Sequence, residues 1–138
     1  MFSISQTAIK SLSLRKKLEQ PQAGALVTFE GWVRNHDQGK QVLYLEYECF
    51  EKLAQKEGQK ILDEAKKFNI IEAHAIHRVG KLDIGEIAVW IGVVAPHRKE
   101  AFKACQYIID EIKKRVPIWK KEHYQDGDSQ WLGYPCKP

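Results

Sequence analysis

The sequence predicts an α+β domain with helices packed against a mostly antiparallel sheet. Three observations carry that expectation. Residues 51–67 and 97–115 space their apolar residues as helices do, and each stretch lies between runs rich in β-branched and aromatic residues. Short clusters of turn formers separate most of those runs, so chain neighbours are expected to pair as hairpins. The 138 residues suit one compact domain over 1–138, and 43% hydrophobic against 29% charged residues is enough for a packed core. Pattern alone makes a ferredoxin-like sandwich the first expectation.

The elements follow in order. Residues 1–9 hold a short strand, and Ser11 or Ser13 is placed to cap a helix ending near Glu19. Pro21 to Gly24 breaks the chain. GALVTFEGWV (24–33) reads as a strand, RNHDQGK (34–40) as a loop, and VLYLEYE (42–48) as a second strand, so the two are expected to form a hairpin with a long tip. The helix over 51–67 rests on Leu53, Ala54, Ile61, Leu62 and Ala65, with Gly58 weakening its middle. IIEAHAIHRVG (70–80) reads as a strand, KLDIGE (81–86) as a turn, and IAVWIGVVA (87–95) as an apolar central strand ended by Pro96. From His97 to Arg115, the residues Ala101, Ala104, Cys105, Ile108, Ile109 and Ile112 line one face of an amphipathic helix. Pro117 stops it. PIWKKEHY (117–124) reads as a strand, QDGD as a turn, and SQWLGY (129–134) as a last strand.

Composition narrows the function. A net charge of +4 mildly favours anionic partners, but acids and bases alternate, so no broad basic face is implied. No run of about 18 apolar residues exists to span a membrane. The first twenty residues lack a continuous apolar core, which argues against a signal peptide. Cys49, Cys105 and Cys136 lie far apart, so free thiols in a reducing compartment, the cytoplasm, are expected. There is no Gly-rich phosphate loop, no G-x-S-x-G and no H-E-x-x-H. His74 and His77 stand three apart on a strand and point to opposite faces, so they do not converge on zinc. Cys105 falls on the apolar stripe as a core thiol. No metal and no cofactor are expected.

Three basic clusters remain. Arg34, Asn35 and His36 open the first loop. His97 and Arg98 begin the long helix, where unpaired backbone N–H groups and the helix dipole favour an anion. Lys113 and Lys120 flank Pro117 within KKRVPIWKKE (113–122), which packs four lysines and an arginine around a proline and a tryptophan. Singly, each cluster reads as loop polarity, helix capping, or cations facing a helix C-terminus. Their joint wording is more specific. GALVTFEGWVRNHDQG, IHRVGKLDIGE, APHRKEAF and IKKRVPIWKKE, in that order, resemble the catalytic (large) subunit of molybdopterin synthase from about Gly24 to Trp131.

The resemblance implies an α/β hammerhead-type fold in place of the ferredoxin-like sandwich. It implies transfer of sulfur to cyclic pyranopterin monophosphate, forming the dithiolene of molybdopterin. The sulfur would come from the C-terminal thiocarboxylate of a ubiquitin-like small subunit, with a homodimer of this chain at the centre of a heterotetramer. The implied substrate contacts are Trp32, Val33 and Arg34, the helix-start pair His97 and Arg98, and Lys113, Lys120, Lys121 and Glu122, with Lys113 and Lys120 catalytic. Some relatives carry lysine where this chain has Trp32. GYPCKP (133–138) matches no feature of that family.

The chemistry suits the residue types. Arginine favours bidentate phosphate contact, so Arg34 and Arg98 are expected to hold phosphate, while His97 binds phosphate or pterin or moves a proton. Crowding by Lys114, Arg115 and Lys121 is expected to lower the pKa of Lys113 or Lys120 and fit it for proton transfer. Two other readings stand beside this one. A small basic nucleic-acid-binding domain would use the same lysines, though Asp110, Glu111 and Glu122 interrupt the run. A non-catalytic scaffold for a ubiquitin-like protein would keep its partner without turnover.

Overall fold

The computed structural model describes residues 1–127 and 129–133, which leaves Cys136 and residues 134–138 of the GYPCKP stretch outside the described residues. A short strand, β1 (Phe2–Ser5), leads through helix α1 (Ser11–Lys17) to β2 (Ala25–Trp32). The two-residue β3 (His36–Asp37) turns directly into β4 (Lys40–Cys49), and helix α2 (Glu51–Glu64) runs into a 3-10 turn over Ala65–Phe68. Strands β5 (Glu72–Arg78), β6 (Gly80–Asp83) and β7 (Ile87–Ala95) precede the long helix α3 (Arg98–Arg115). β8 (Ile118–Tyr124) and β9 (Ser129–Gly133) follow it.

These strands form two sheets. The first has the order β1-β5-β7-β2, and the second runs β3-β4-β8-β9 with β6 also on β4. β1 lies parallel to β5, and every other described pairing is antiparallel. The α+β class follows from the element pattern, but two sheets replace the single sheet of a ferredoxin-like sandwich.

β7 is the centre of the packing. Val89, Ile91 and Val93 face Ala54, Ile61, Ala104, Ile108 and Ile112 of α2 and α3. Trp90 and Val94 face the other way, onto Leu18 just past α1. A strand covered on both sides carries a continuous apolar run, which is how IAVWIGVVA reads. Each fully buried aliphatic side chain there contributes about 1.5–3 kcal/mol. A second core, built from Val33, Val42, Leu45, Tyr47, Val79, Leu82, Ala88 and Tyr124, fills the space under the other sheet. Cys105 is buried in the first core, and burial pushes its thiol pKa up to about 11.

Three local expectations are corrected. The segments 24–33 and 42–48 do not form a hairpin with each other. β2 pairs with β7 from Ala25↔Ala95 to Gly31↔Val89, while β4 takes β6 and β8. The tight hairpin lies inside the predicted loop, where Gln38 (φ 49°) and Gly39 (φ 79°) join β3 to β4 with the positive dihedrals of a type I′ turn. KLDIGE is not all turn, because Leu82 is drawn fully into the second core and carries β6 with it. Neither serine caps α1: Lys10 occupies the N-cap without a side-chain bond, and Ser13 Oγ donates to Lys10 O at 3.3 Å.

Gly58 has a packing reason. A Cβ there would stand 2.3 Å from Phe2 Cγ, so the missing side chain is the seat of the Phe2 ring. That ring is 5% exposed and helps hold β1 against α2. Gly58→Ala improves helix propensity by about 1 kcal/mol but expels the ring. A net loss of about 1–3 kcal/mol is expected, the usual size of an overpacking penalty. Urea unfolding checks it; a stabilised variant would show that the ring moves aside without cost.

Candidate active site

The two lysines flanking Pro117 meet because the chain turns a buried corner between them. Ile112 fixes the last turn of α3 in the core, and the side chains of Val116 and Pro117 are buried immediately after it. The Val116 N–H donates to Ile112 O at 3.1 Å and the Ile118 N–H to Val116 O at 2.8 Å, which closes the corner. β8 then pairs with β4, setting Lys120 opposite Tyr47 and Glu122 opposite Leu45. Side chains alternate along β8. Lys120, Glu122 and Tyr124 face inward, while Trp119 stacks edge-on against Phe50 and Lys121 lies over the Trp131 ring. Lys113, Lys120 and Glu122 thus share one cleft of about 120 Å³ with Trp32, Arg34 and Tyr47, floored by Leu45, Ala88 and Val89.

The other cations of the basic stretch are engaged elsewhere. Lys114 Nζ lies 3.5 Å from Glu111, and Arg115 Nη1 lies 2.6 Å from Glu64 and 3.3 Å from Glu111. The Arg115 guanidinium and the Tyr107 hydroxyl hold the Glu64 carboxyl down to about 2. The Lys113 pKa is lowered, first by burial of its ammonium and then by the charge of Lys120. The expected crowding by Lys114, Arg115 and Lys121 is therefore not the cause. Lys113 keeps much of its surface exposed. A long side chain on a cleft wall combines a solvated stem with a head group crowded by protein atoms, so both observations hold.

Acids complete the cleft. Glu122 is 3% exposed, accepts a hydrogen bond from Tyr124 Oη at 2.9 Å, and stands 3.8 Å from Lys120 Nζ. Its pKa is raised, chiefly by burial and then by the neighbouring Asp37 carboxyl. Asp37 in turn lies 3.3 Å from Arg34 Nη2. Behind the Tyr47 wall, the His77 ring meets the Tyr47 ring edge-on at 4.9 Å. His77 Nδ1 pairs with Arg78 O at 2.8 Å, and burial lowers its pKa to about 4, with the Lys113 charge adding to the effect.

Five of the nine site residues expected from the sequence line this cleft: Trp32, Arg34, Lys113, Lys120 and Glu122. Four do not. The Val33 side chain is buried in the second core, its N–H donating to Glu86 O and its carbonyl accepting from Gly85 N–H. Lys121 is on the outer face of β8. His97 and Arg98 are exposed at the far end of α3, where His97 takes the N-cap without a side-chain bond. In the first cluster, His36 Nδ1 pairs with Asn35 Oδ1 at 3.2 Å. Tyr47 and Asp37 are the groups that sequence reasoning passed over. The alternation of VLYLEYE put Tyr47 on the buried face, but nothing local named its partner across the sheet.

The IHRVGKLDIGE stretch is structural at its centre. Arg78 Nη1 pairs with Glu86 at 2.5 Å, and Glu86 Oε2 accepts from the Asp83 N–H at 2.7 Å, bracing the turn that holds Val33. His74 pairs with Glu72 instead of His77. Among the described residues, no three His, Cys, Asp or Glu side chains gather to hold a metal, and no helix is long and apolar enough to cross a membrane.

Comparison with known proteins places this geometry. The family described as MoaE protein matches residues 4–115. A molybdopterin synthase catalytic subunit of Thermoplasma volcanium is 44% identical over 129 residues, covering 93% of this chain and 94% of that protein. A molybdopterin synthase structure from Staphylococcus aureus superposes with a TM-score of 0.90 at 39% identity, covering 96% of this chain and 97% of the other. A Helicobacter pylori structure, a complex of subunits 1 and 2 of molybdopterin-converting factor, shares the fold with a TM-score of 0.80 at 23% identity, covering 99% of this chain and 93% of that one.

His77 makes the fold sensitive to acid. Its pKa of about 4 lies below the 6.5 of a solvated histidine, so the folded state binds fewer protons than the unfolded one. The stabilisation is present above 6.5 and is lost as the pH falls through about 4, up to about 3 kcal/mol. Denaturant unfolding at neutral and acid pH is expected to show His77→Asn starting weaker and losing less on acidification. Equal losses in both proteins would clear His77 of this role.

Proposed function

Because the chain belongs to the MoaE family, the catalytic subunits of molybdopterin synthase, we propose that the Lys113–Lys120 cleft transfers sulfur to cyclic pyranopterin monophosphate. The donor is the C-terminal thiocarboxylate of a ubiquitin-like small subunit, and the reaction belongs to the cytoplasm. The observation that carries this reading is the meeting of Lys113, Lys120 and Arg34 in one cleft, although Arg34 and Lys113 stand 79 positions apart in the chain (113 − 34). Substrate phosphate and donor thiocarboxylate are both anions, and fixed cations in a partly dry site favour bringing them together.

Arg34 holds phosphate, and Lys120 lies along the substrate. Lys113, with its lowered pKa, has a larger neutral fraction near neutral pH than a solvated lysine. It takes and returns protons as the thiocarboxylate sulfur adds and the phosphate oxygen leaves. Trp32, 67% exposed at the rim with its Nε1 donating to Glu30 at 2.9 Å, offers an indole face where some relatives place a lysine.

One chain does not make a complete site. The cleft of about 120 Å³ is smaller than the ~300–1,000 Å³ of ordinary ligand pockets. Arg98 and Lys113 stand fifteen positions apart on α3 (113 − 98), roughly 22 Å at 1.5 Å per residue. A two-fold homodimer in which His97 and Arg98 of one copy complete the cleft of the other meets both conditions, giving two equal sites. One small subunit at each makes a heterotetramer.

Reconstitution with a thiocarboxylated small subunit and cyclic pyranopterin monophosphate tests the proposal, with dithiolene product as the readout. Lys113→Ala and Lys120→Ala are each expected to lower turnover by about 10²-fold or more, the scale of a lost proton-transfer group, while remaining folded and bound to the small subunit. Near wild-type turnover would remove that lysine from the mechanism. Cys105→Ala is expected to cost stability through a small cavity and leave activity largely intact. A folded but inactive Cys105→Ala protein would contradict sulfur carried by the partner.

The shared site has its own test. Mixed Arg98→Ala and Lys113→Ala proteins are expected to regain activity once subunits exchange, through one intact composite site. Exchange without recovery would return both residues to a single chain.

A further inference from the structure

We infer that the Tyr47 hydroxyl is a further substrate contact, donating a hydrogen bond to a phosphate oxygen of cyclic pyranopterin monophosphate beside Lys120. This rests on the reading of the cleft as the substrate site and adds to it a neutral donor among the cations. Tyr47 lines the cleft and is only 8% exposed. A buried tyrosine hydroxyl ordinarily finds a partner. Among the described residues, no group hydrogen-bonds this one. Glu122 takes its bond from Tyr124 Oη at 2.9 Å instead. The polar side-chain atoms sealed without a partner, among the described residues, are Glu57 Oε2, Arg78 Nε and Glu100 Oε2. The Tyr47 oxygen is neither bonded nor sealed, so it opens onto the cleft that the residue lines.

Strand register sets that hydroxyl next to the positive charge. Tyr47 stands directly opposite Lys120 on the β4–β8 ladder, and both side chains take the inner face. Directly opposite residues hold their Cβ atoms about 4.5–5.5 Å apart, so the phenol and the ammonium leave the backbone side by side. The ring is held in place: His77 meets it edge-on at 4.9 Å, and His77 is fixed in turn by its bond with Arg78 O at 2.8 Å. On the other flank, β6 pairs Tyr47 with Gly80, which has no side chain to engage the hydroxyl. A neutral donor suits this place. Lys113 and Lys120 already repel, and a third ammonium here would be desolvated against Leu45, Ala88 and Val89. A phenol supplies a directed O–H and adds no charge. Burial, and then the charge of Glu122, push its pKa up to about 12, so the proton stays on the oxygen.

Tyr47→Phe removes one oxygen and keeps the ring, which separates a substrate contact from packing. Three measurements on the full chain are read together: equilibrium binding of cyclic pyranopterin monophosphate, steady-state kinetics with the thiocarboxylated small subunit, and urea unfolding. Binding of the pterin is expected to weaken about tenfold or more, the scale of a lost hydrogen bond to a charged group. The KM for the pterin rises with it, while the KM for the small subunit and the urea midpoint stay at their wild-type values. Equal pterin affinity in the two proteins would overturn the inference, because packing of the ring would then account for Tyr47. A change in the small-subunit KM in place of the pterin KM would also overturn it, by moving the hydroxyl to the donor tail. A lower urea midpoint would reveal a partner for the hydroxyl inside the protein, with the same consequence. If the wild type itself does not bind the pterin, the proposed reaction fails, and this contact fails with it.

Discussion

Lys113 and Lys120 repel each other, and the buried corner at Val116–Pro117 holds them together regardless. Hydrophobic burial does this work on both sides of the corner. Ile108 and Ile112 pin the end of α3 to the sheet, and the β4–β8 ladder pins the strand that follows. The Phe50 N–H donating to Pro117 O at 3.3 Å joins the corner to the end of β4. A proline suits this position because it ends the helix and fixes the backbone that follows. The energy that tolerates two neighbouring cations thus comes from apolar side chains outside the cleft.

The second wall of the cleft is held from a different direction. β2 ends at Trp32, and the chain crosses from the first sheet to the second through Val33 and Arg34. The Arg78–Glu86 pair fixes the turn after β6, and that turn binds both backbone polar groups of Val33. With its backbone held and its side chain buried, Val33 sets where Arg34 leaves the core. Two parts of the fold without shared residues, the α3–β8 corner and the β6–β7 turn, therefore converge on one small volume.

The periodic elements were legible in the sequence. β7 and α3 carry long, unambiguous apolar patterns, and both form with nearly the expected bounds. Strand partners were not, because alternation shows that a segment is half-buried and leaves open which strand covers it. That is why 24–33 and 42–48 looked like a hairpin although they belong to different sheets. At the cleft, the cations stood out as residue types. Asp37 and Tyr47 matter through contacts across the sheet and had no local signal, and the cause of the Lys113 shift was likewise invisible until Arg115 was found spent on Glu64.

The four tryptophans sit in contrasting environments. Trp32 stands at the cleft rim with two-thirds of its surface in water, whereas Trp90 is 1% exposed against Leu18 and the back of Gly92. Indole emission moves to longer wavelength as water reaches the ring. A chain reduced to Trp32 would therefore glow red-shifted and respond when something covers the cleft. A chain reduced to Trp90 would glow blue-shifted and change only when the sheet opens. Two single-tryptophan variants would thus give separate optical channels for occupancy and for unfolding, with no dye attached.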